Sequence, residues 1–165
     1  MIESHMAALA LAALLTACAA PGPANSTDGA LVSRADAVMR LASPDRPMTL
    51  RVTPERVHTG ETISVQIGSP VGGHVYLFQI GTTGRDLTMV FPNTIDGANY
   101  IGPGSTLGLP RPGWRLAARG PAGIGYLLAI STPEPMNILA LQARIQQGVL
   151  EFATPYGAGL VVIRE

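Results

Sequence analysis

The sequence predicts a mainly β protein, a β-sandwich with one helix near the C-terminus and a candidate short helix near the N-terminus. Three observations predict this fold. Short stretches of alternating apolar and polar residues recur from residue 48 onward, and Gly or Pro interrupts them about every dozen residues. The 19 glycines and 14 prolines among 165 residues disfavour a helical bundle. An apolar fraction of 47% disfavours a disordered chain.

The N-terminus carries a predicted export signal, residues 1–17. Residues 6–17 form an uncharged apolar run that is too short to span a membrane but fits a signal peptide. It ends in Leu15-Thr16-Ala17-Cys18, which resembles the bacterial lipobox, and this resemblance implies that Cys18 becomes the lipidated first residue. The triplet Ser4-His5-Met6 matches a cloning-site scar, so residues 1–5 are expected to be partly vector-derived. Ala19 is not the Asp typical of inner-membrane retention, which favours the periplasmic face of the outer membrane.

Residues 18–46 are predicted to connect the lipid to the folded body. Residues 19–27 are small, polar and rich in Pro, as expected of a tether. A short helix is predicted from Ala30 to Ala42, with Asp28 as its cap and Pro44 as its end. Its apolar stripe consists of Leu31, Ala35, Val38 and Leu41. The sandwich is then expected to occupy residues 47–165.

The strands follow in order. Met48, Leu50 and Val52 alternate with polar residues, as do Ile63, Val65 and Ile67, and the turn Thr59-Gly60-Glu61 separates the two stretches. The segment Val75–Ile80 is apolar on both faces, which predicts a central strand. Further strands are predicted at Leu87–Phe91, Ser105–Leu109, Trp114–Ala118, Tyr126–Ser131 and Leu160–Arg164.

The predicted C-terminal helix and the corners complete the fold. The helix runs from Asn137 to Gly148, with Ile138, Leu141 and Ile145 on one face and Gly148 as its natural end. Phe91-Pro92-Asn93 is expected to end a strand with Phe91 in the core and Asn93 bonded to nearby backbone. The stretches Gly102–Gly104 and Gly120–Gly123 are expected to be corners in which glycine supplies a positive φ.

Several of these landmarks together resemble the family catalogued as domain of unknown function 4384, across roughly residues 48–131. They are Gly73–Phe78, Leu87–Asn93, Asn99–Ile101, Gly104 with Leu107 and Leu109-Pro110, Gly120–Gly123 and Leu127–Ile130. The resemblance implies an immunoglobulin-like β-sandwich in bacterial envelope or secreted proteins. Because the family has no established activity, the resemblance implies no mechanism.

The composition excludes several kinds of chemistry. The formal net charge is zero, so the chain lacks the excess of basic residues that is typical of a nucleic-acid-binding protein. There is no lysine and no Gly-x-Ser-x-Gly motif, and the single cysteine is Cys18. His5, His58 and His74 lack metal-ligand spacing, and no cofactor is expected. An acid–base pair of Asp86 with His74 is a remote alternative, and on balance the sequence predicts a protein that is not an enzyme.

The most distinctive surface feature is a group of three arginines, Arg111, Arg115 and Arg119, spaced by four around Trp114. On a strand, Arg115 and Arg119 would share the exposed face, where they could bind carboxylates or phosphates of an envelope protein. Tyr100, in a Gly-containing loop, is a second candidate contact. The alternative is a solvated strand face with Trp114 in the core.

The function predicted from these features is a periplasmic lipoprotein that acts as a binding or assembly module. Small β-sandwich lipoproteins serve secretion systems in this way, so an accessory role in such an envelope machine is one form of the hypothesis. The alternative is a sensor of small ligands or glycans, or an envelope enzyme, with its site in the Gly-rich loops. Exposure on the cell surface is a third reading of the anchor.

Overall fold

The computed structural model describes residues 29–153 and 155–165, so Cys18, the predicted signal peptide, the tether and Asp28 lie outside the described residues. The described chain forms two helices and eight strands. In order these are α1 (Ala30–Leu41), β1 (Thr49–Thr53), β2 (Ser64–Ser69), β3 (Gly73–Ile80), β4 (Leu87–Phe91), β5 (Tyr100–Ile101), β6 (Ser105–Leu109), β7 (Ile124–Thr132), α2 (Ile138–Gln146) and β8 (Gly157–Arg164).

The strands form two antiparallel sheets, which confirms the predicted mainly β sandwich. The front sheet has the order β1-β2-β6. The back sheet has the order β4-β3-β7-β8, and the two-residue strand β5 also pairs with β3. Strand β5 was not predicted, because two residues are too few for a period-two pattern.

The molecule has three layers, since both helices cover the outer face of the back sheet. One apolar core lies between the sheets and contains Val65, Leu77 and Leu127. A second core lies between the back sheet and the helices and contains Phe78, Leu128 and residues of both helices. Strand β3 therefore contributes Val75 and Leu77 to the first core and Tyr76, Phe78 and Ile80 to the second. This arrangement explains why its sequence is apolar on both faces.

Both helices are anchored by a few buried residues and hydrogen bonds. In α1, Leu31, Ala35 and Val38 are buried as predicted, whereas Leu41 is 69% exposed because it lies at the last residue of the helix. The N-cap of α1 is Gly29, which has no side chain with which to cap the helix. In α2, the Asn137 side chain caps the helix by accepting from the Ala140 N–H at 3.0 Å, and Gly148 ends it with a φ of +70°.

One predicted strand is wrong: Trp114–Ala118 is an irregular extended segment with a single bridge between Thr62 and Ala117. Its backbone bonds the turn that precedes β2, with Ile63 N–H donating to Leu116 O at 2.8 Å and Ala118 N–H donating to Glu61 O at 3.0 Å. That partner is itself curved, because Gly60 has a φ of +87°, so no regular ladder can continue along it. The alternation nevertheless persists, since Leu116 and Ala118 are buried while Arg115 and Arg119 are exposed.

The two predicted Gly-Pro corners differ in their cause. Gly104 has a φ of +71°, as expected. Gly120 and Gly123 do not adopt a positive φ, so this part of the prediction is wrong. Close packing instead favours glycine there, because a Cβ on Gly120 would lie 2.6 Å from the Thr82 Oγ1 and a Cβ on Gly123 would lie 3.1 Å from the Thr82 Cβ.

Candidate interaction groove

An open groove lies on one side of the sandwich, between strand β4 and the segment of residues 114–120; we call it the edge groove. Its volume is about 420 Å³, which is within the range of ligand-binding clefts. Both polar and apolar groups line it. They are Gln79, Gly81, Asp86, Thr88, Val90, Asn93, Trp114, Arg115, Leu116, Ala117, Arg119, Gly120 and Glu165.

The two walls of the edge groove run in opposite directions. Trp114 lies near the end of β4, because its indole and the Asn93 backbone N–H both bond Asp96. Gly120 lies near the start of β4, because it packs against Thr82 in the β3–β4 connection. Among the described residues, no hydrogen bond joins the two walls, so the space between them is open along the length of β4.

The Trp114 end of the groove is held by a carboxylate. Asp96, whose side chain is only 10% exposed, accepts hydrogen bonds from the Arg111 Nε at 2.8 Å and the Trp114 Nε1 at 3.0 Å. The Arg111 Nη2 also donates to the second oxygen of Asp96 and, at 2.7 Å, to the Ala98 carbonyl. Hydrogen bonding by Arg111 lowers the pKa of Asp96 in spite of its burial, and the same bond raises the pKa of Arg111.

The Asp96 loop is itself ordered by Asn93. The Asn93 Oδ1 accepts from the backbone N–H groups of Ile95 and Asp96, both at 2.9 Å, and its Nδ2 donates to the Val90 carbonyl at 3.1 Å. These bonds confirm the turn predicted for Phe91-Pro92-Asn93, and Phe91 is fully buried as expected. The Asn93 turn thus orders the Asp96 carboxylate, which in turn positions Trp114 at its end of the edge groove.

Arg115 and Arg119 are the cations that the edge groove leaves accessible. The Arg115 Nη2 donates to the Thr62 hydroxyl at 3.0 Å, and no carboxylate pairs with it among the described residues. Arg119 is exposed and makes no hydrogen bond or ion pair with the described part of the chain. Arg111 differs, because it is committed to Asp96 and lies 5.4 Å from the Phe91 ring centroid. Its predicted contact with a partner stays a prediction.

Two acids lie at the other end of the groove, near Gly120. The Glu165 Oε2 accepts from the Gly120 backbone N–H at 2.9 Å, and the Asp86 Oδ2 accepts from the Thr83 hydroxyl at 2.9 Å. Both carboxylates therefore have protein donors, whereas the two guanidinium groups along the wall have only one hydroxyl between them. This asymmetry favours a ligand that brings its own carboxylates.

The remaining candidate residues lie outside the groove. Tyr100 is 61% exposed, as expected, and its ring packs edge-on against His74 at 5.3 Å between centroids. His74 begins β3 whereas Asp86 lies beside the end of β3, so the remote alternative of an Asp86–His74 pair is wrong. No group of three or more His, Cys, Asp or Glu residues within 29–153 and 155–165 is arranged to hold a metal ion.

Sequence reasoning missed Gln79, Thr88 and Val90, which lie on the β4 side of the groove, and the C-terminal Glu165, which lies at the groove end near Gly120. A signal for β4 as a strand was present, because a short apolar stretch is followed directly by Pro92, which ends it. The strand order that places this edge opposite residues 114–120 cannot be read from the sequence.

Comparison with known proteins identifies one family. Residues 56–135 match the family model described as Domain of unknown function (DUF4384), which confirms the resemblance noted in the sequence. The match contains β2–β7 and both long walls of the edge groove. No curated protein and no solved structure matches the chain. In the described residues, no helix is long and apolar enough to cross a membrane.

Proposed function

We propose that this chain, whose residues 56–135 match the DUF4384 family model, is a lipoprotein anchored to the periplasmic face of the outer membrane. It acts without catalysis, as a module that binds another envelope protein through the edge groove. The observation that carries the proposal is the pair of accessible arginines, Arg115 and Arg119, beside Trp114 in an open groove. A role as an accessory of a secretion system is one form of this function.

The chemistry of the groove favours a protein ligand. Arg and Trp are enriched among the residues that contribute most to protein interfaces. Trp114 is held by the Asp96 carboxylate, so its side chain loses little conformational entropy when a partner binds. A guanidinium can bind a carboxylate through two parallel hydrogen bonds, and Arg115 and Arg119 are both free of carboxylate partners among the described residues.

The anchor rests on the pattern around Cys18. The apolar run of residues 6–17 and the motif Leu15–Cys18 support processing to a lipidated N-terminal cysteine. A lipid anchor places the body at a membrane surface without a spanning helix. Labelling cells with a fatty-acid probe tests this step: the chain takes up the label, and the Cys18→Ser variant does not. A labelled Cys18→Ser variant, or an unlabelled parent chain, would refute the anchor.

Affinity purification from solubilised envelopes tests the binding function. The unsubstituted chain is expected to recover one protein in stoichiometric amount, and Arg115→Glu with Arg119→Glu is expected to lose it. The matched control is Arg40→Glu with Arg51→Glu, which makes the same change of charge at exposed positions on α1 and β1, two elements that contact β8, the strand at the opposite edge of the back sheet from β4. Equal recovery by both double variants would refute binding through the edge groove.

A second candidate function, the binding of a small apolar ligand, is favoured by a separate hollow. It has a volume of about 350 Å³ and lies between the residue 92–99 loop and the start of α2. Its lining includes Tyr76, Met136, Ile138 and Leu139, and Leu139 is 78% exposed. Fluorescence of 1-anilinonaphthalene-8-sulfonate tests it: binding to the native chain that Leu139→Asp abolishes would support this function, and an unchanged signal would oppose it.

A further inference from the structure

We infer that the edge groove receives an extended acidic peptide, which adds as a strand to the free edge of β4 and places its carboxylates on Arg115 and Arg119. This inference rests on the proposed function, because it names the kind of partner segment that the groove would bind. Strand addition at an exposed sheet edge is a common mode of peptide recognition.

Strand β4 offers a free edge. It is the outermost strand of the back sheet and pairs only with β3 among the described strands. Edge strands commonly carry charged residues or proline, which discourage unwanted pairing. The five residues of β4, Leu-Thr-Met-Val-Phe, contain neither. The wall opposite β4 is not bonded to it, so the edge remains open to the groove.

The pairing register shows which backbone groups face outward. The Gly81 N–H donates to the Asp86 carbonyl at 2.9 Å, so this pair of residues shares a hydrogen bond across the hairpin. Paired residues alternate between bonded and non-bonded positions along an antiparallel ladder. The next pair, Ile80 with Leu87, is therefore non-bonded, as is Phe78 with Met89. The N–H and C=O groups of Leu87 and Met89 consequently point away from β3 and can bond an added strand.

The side chains of an added strand would meet two different surfaces. Val90 packs against the core between the sheets and lines the edge groove with Thr88, whereas Leu87 and Met89 pack on the helix side. A peptide on this edge would therefore direct alternate side chains into the edge groove and toward α2, where Gln142 and Gln146 line a shallow hollow beside β4. The groove side contains the arginines, and the α2 side contains uncharged amides.

Charge and spacing select an acidic peptide. Arg115 and Arg119 are four residues apart on an extended segment, which corresponds to roughly 13 Å at about 3.3 Å per residue. Residues at positions i and i+4 of an added strand share one face and have nearly the same separation. A peptide with acidic residues at alternate positions would thus bring carboxylates to both arginines. Asp86 and Glu165 do not compete for these arginines in the structure, because each accepts from another donor.

The experiment uses the full-length chain in detergent and two blocked heptapeptides. In the acidic probe glutamate alternates with threonine, and in the basic probe lysine replaces each glutamate. Isothermal titration calorimetry is expected to detect binding of the acidic probe at least tenfold tighter than that of the basic probe. Amide hydrogen exchange of Leu87 and Met89 is expected to slow at least fivefold when the acidic probe is bound. No binding of the acidic probe, or equal binding of both probes, would overturn the inference.

Two sets of variants separate strand addition from simple charge attraction. Met89→Pro removes one outward N–H without removing a bond to β3, and it is expected to lower the affinity for the acidic probe at least tenfold. Met89→Ala retains that N–H and is expected to lower this affinity less than threefold. Arg115→Glu with Arg119→Glu is expected to abolish binding, and Arg40→Glu with Arg51→Glu is expected to preserve it.

The outcomes distinguish the two proposals. If Met89→Pro binds the acidic probe normally, or if exchange at Leu87 and Met89 is unchanged, strand addition is wrong while groove binding stands. If the envelope partner is retained by the Arg115→Glu and Arg119→Glu chain, the proposed function through this groove fails. Should Met89→Pro not fold, the hydrogen-exchange measurement on the unsubstituted chain decides the question.

Discussion

Removing the carboxylate of Asp96 is expected to destabilise the fold and to free the Trp114 side chain at its end of the edge groove. Asp96→Ala deletes two hydrogen bonds to Arg111 and one of 3.0 Å to the Trp114 Nε1. Hydrogen bonds to charged groups contribute about 1.5–3 kcal/mol each when buried. The Arg111 side chain is 34% exposed, so water replaces part of what is lost. Counting the two Arg111 bonds as one partly exposed ion pair worth about 0.5–1 kcal/mol and the Trp114 bond as about 1.5–2 kcal/mol, we expect the free energy of unfolding to fall by about 2–3 kcal/mol in total.

Urea unfolding followed by far-UV circular dichroism measures this loss. Trp114 is the only tryptophan of the chain, so its fluorescence reports the same change locally. Asp86→Ala is the matched control, because its carboxylate is exposed and accepts one bond from Thr83; its cost is expected to be below about 0.5 kcal/mol. In a double-mutant cycle, the losses in free energy of unfolding caused by Asp96→Ala and by Arg111→Met are expected to be non-additive, because both substitutions remove the same ion pair.

A loss of less than about 1 kcal/mol for Asp96→Ala, or one no larger than that of Asp86→Ala, would refute the reasoning. So would additive effects of Asp96→Ala and Arg111→Met, because the two side chains would then not depend on each other. A native-like Trp114 emission spectrum in Asp96→Ala would show that the carboxylate does not position the indole.

Three further predictions follow from single contacts. The pKa of Asp96 is lowered in the folded state, so its ionised carboxylate stabilises the fold above the unfolded pKa, near 3.8, and this stabilisation is lost as the pH falls through the folded pKa. The urea midpoint should therefore decline less between pH 6 and pH 2 in Asp96→Asn than in the parent. Asn137→Ala removes the cap of α2 and should cost about 1 kcal/mol, measurable as faster amide exchange in α2, and unchanged exchange would oppose the cap. Gly72→Ala should lower the free energy of unfolding by more than about 2 kcal/mol, because the φ of Gly72 is +68° and the new Cβ would lie 2.6 Å from the Ile101 carbonyl oxygen. The control is Gly97→Ala, whose Cβ would meet no atom within 4 Å and which should be neutral in the same urea assay.

Local chemistry made much of the fold predictable. The period-two pattern located β2 because Val65 and Ile67 both face the core between the sheets. The strand Leu87–Phe91 was predicted with its observed bounds, because its apolar pattern and Pro92 are signals carried by the same few residues. Asn137 and Gly148 likewise mark the ends of α2 through short-range hydrogen bonding and a positive φ.

The candidate site was predicted only in part, because its parts come from distant segments. The arginines and Trp114 stand close together in sequence, which is why they could be singled out. The Asp96 carboxylate that engages Arg111 is 15 residues away, and no local pattern pairs the two. The irregular path of residues 114–118 depends on the curved turn at Gly60, which is more than fifty residues upstream.

The sequence by itself determined the strand-rich class of this chain, the two helices and the segment that matches DUF4384, because burial patterns and turn chemistry act over a few neighbouring residues. Only the tertiary structure decided that the helices cover the back sheet, that β4 is an outer strand and that Arg115 and Arg119 face it across an open groove. Strand order and the pairing of distant side chains depend on which surfaces pack together, and that choice is made by the whole chain at once.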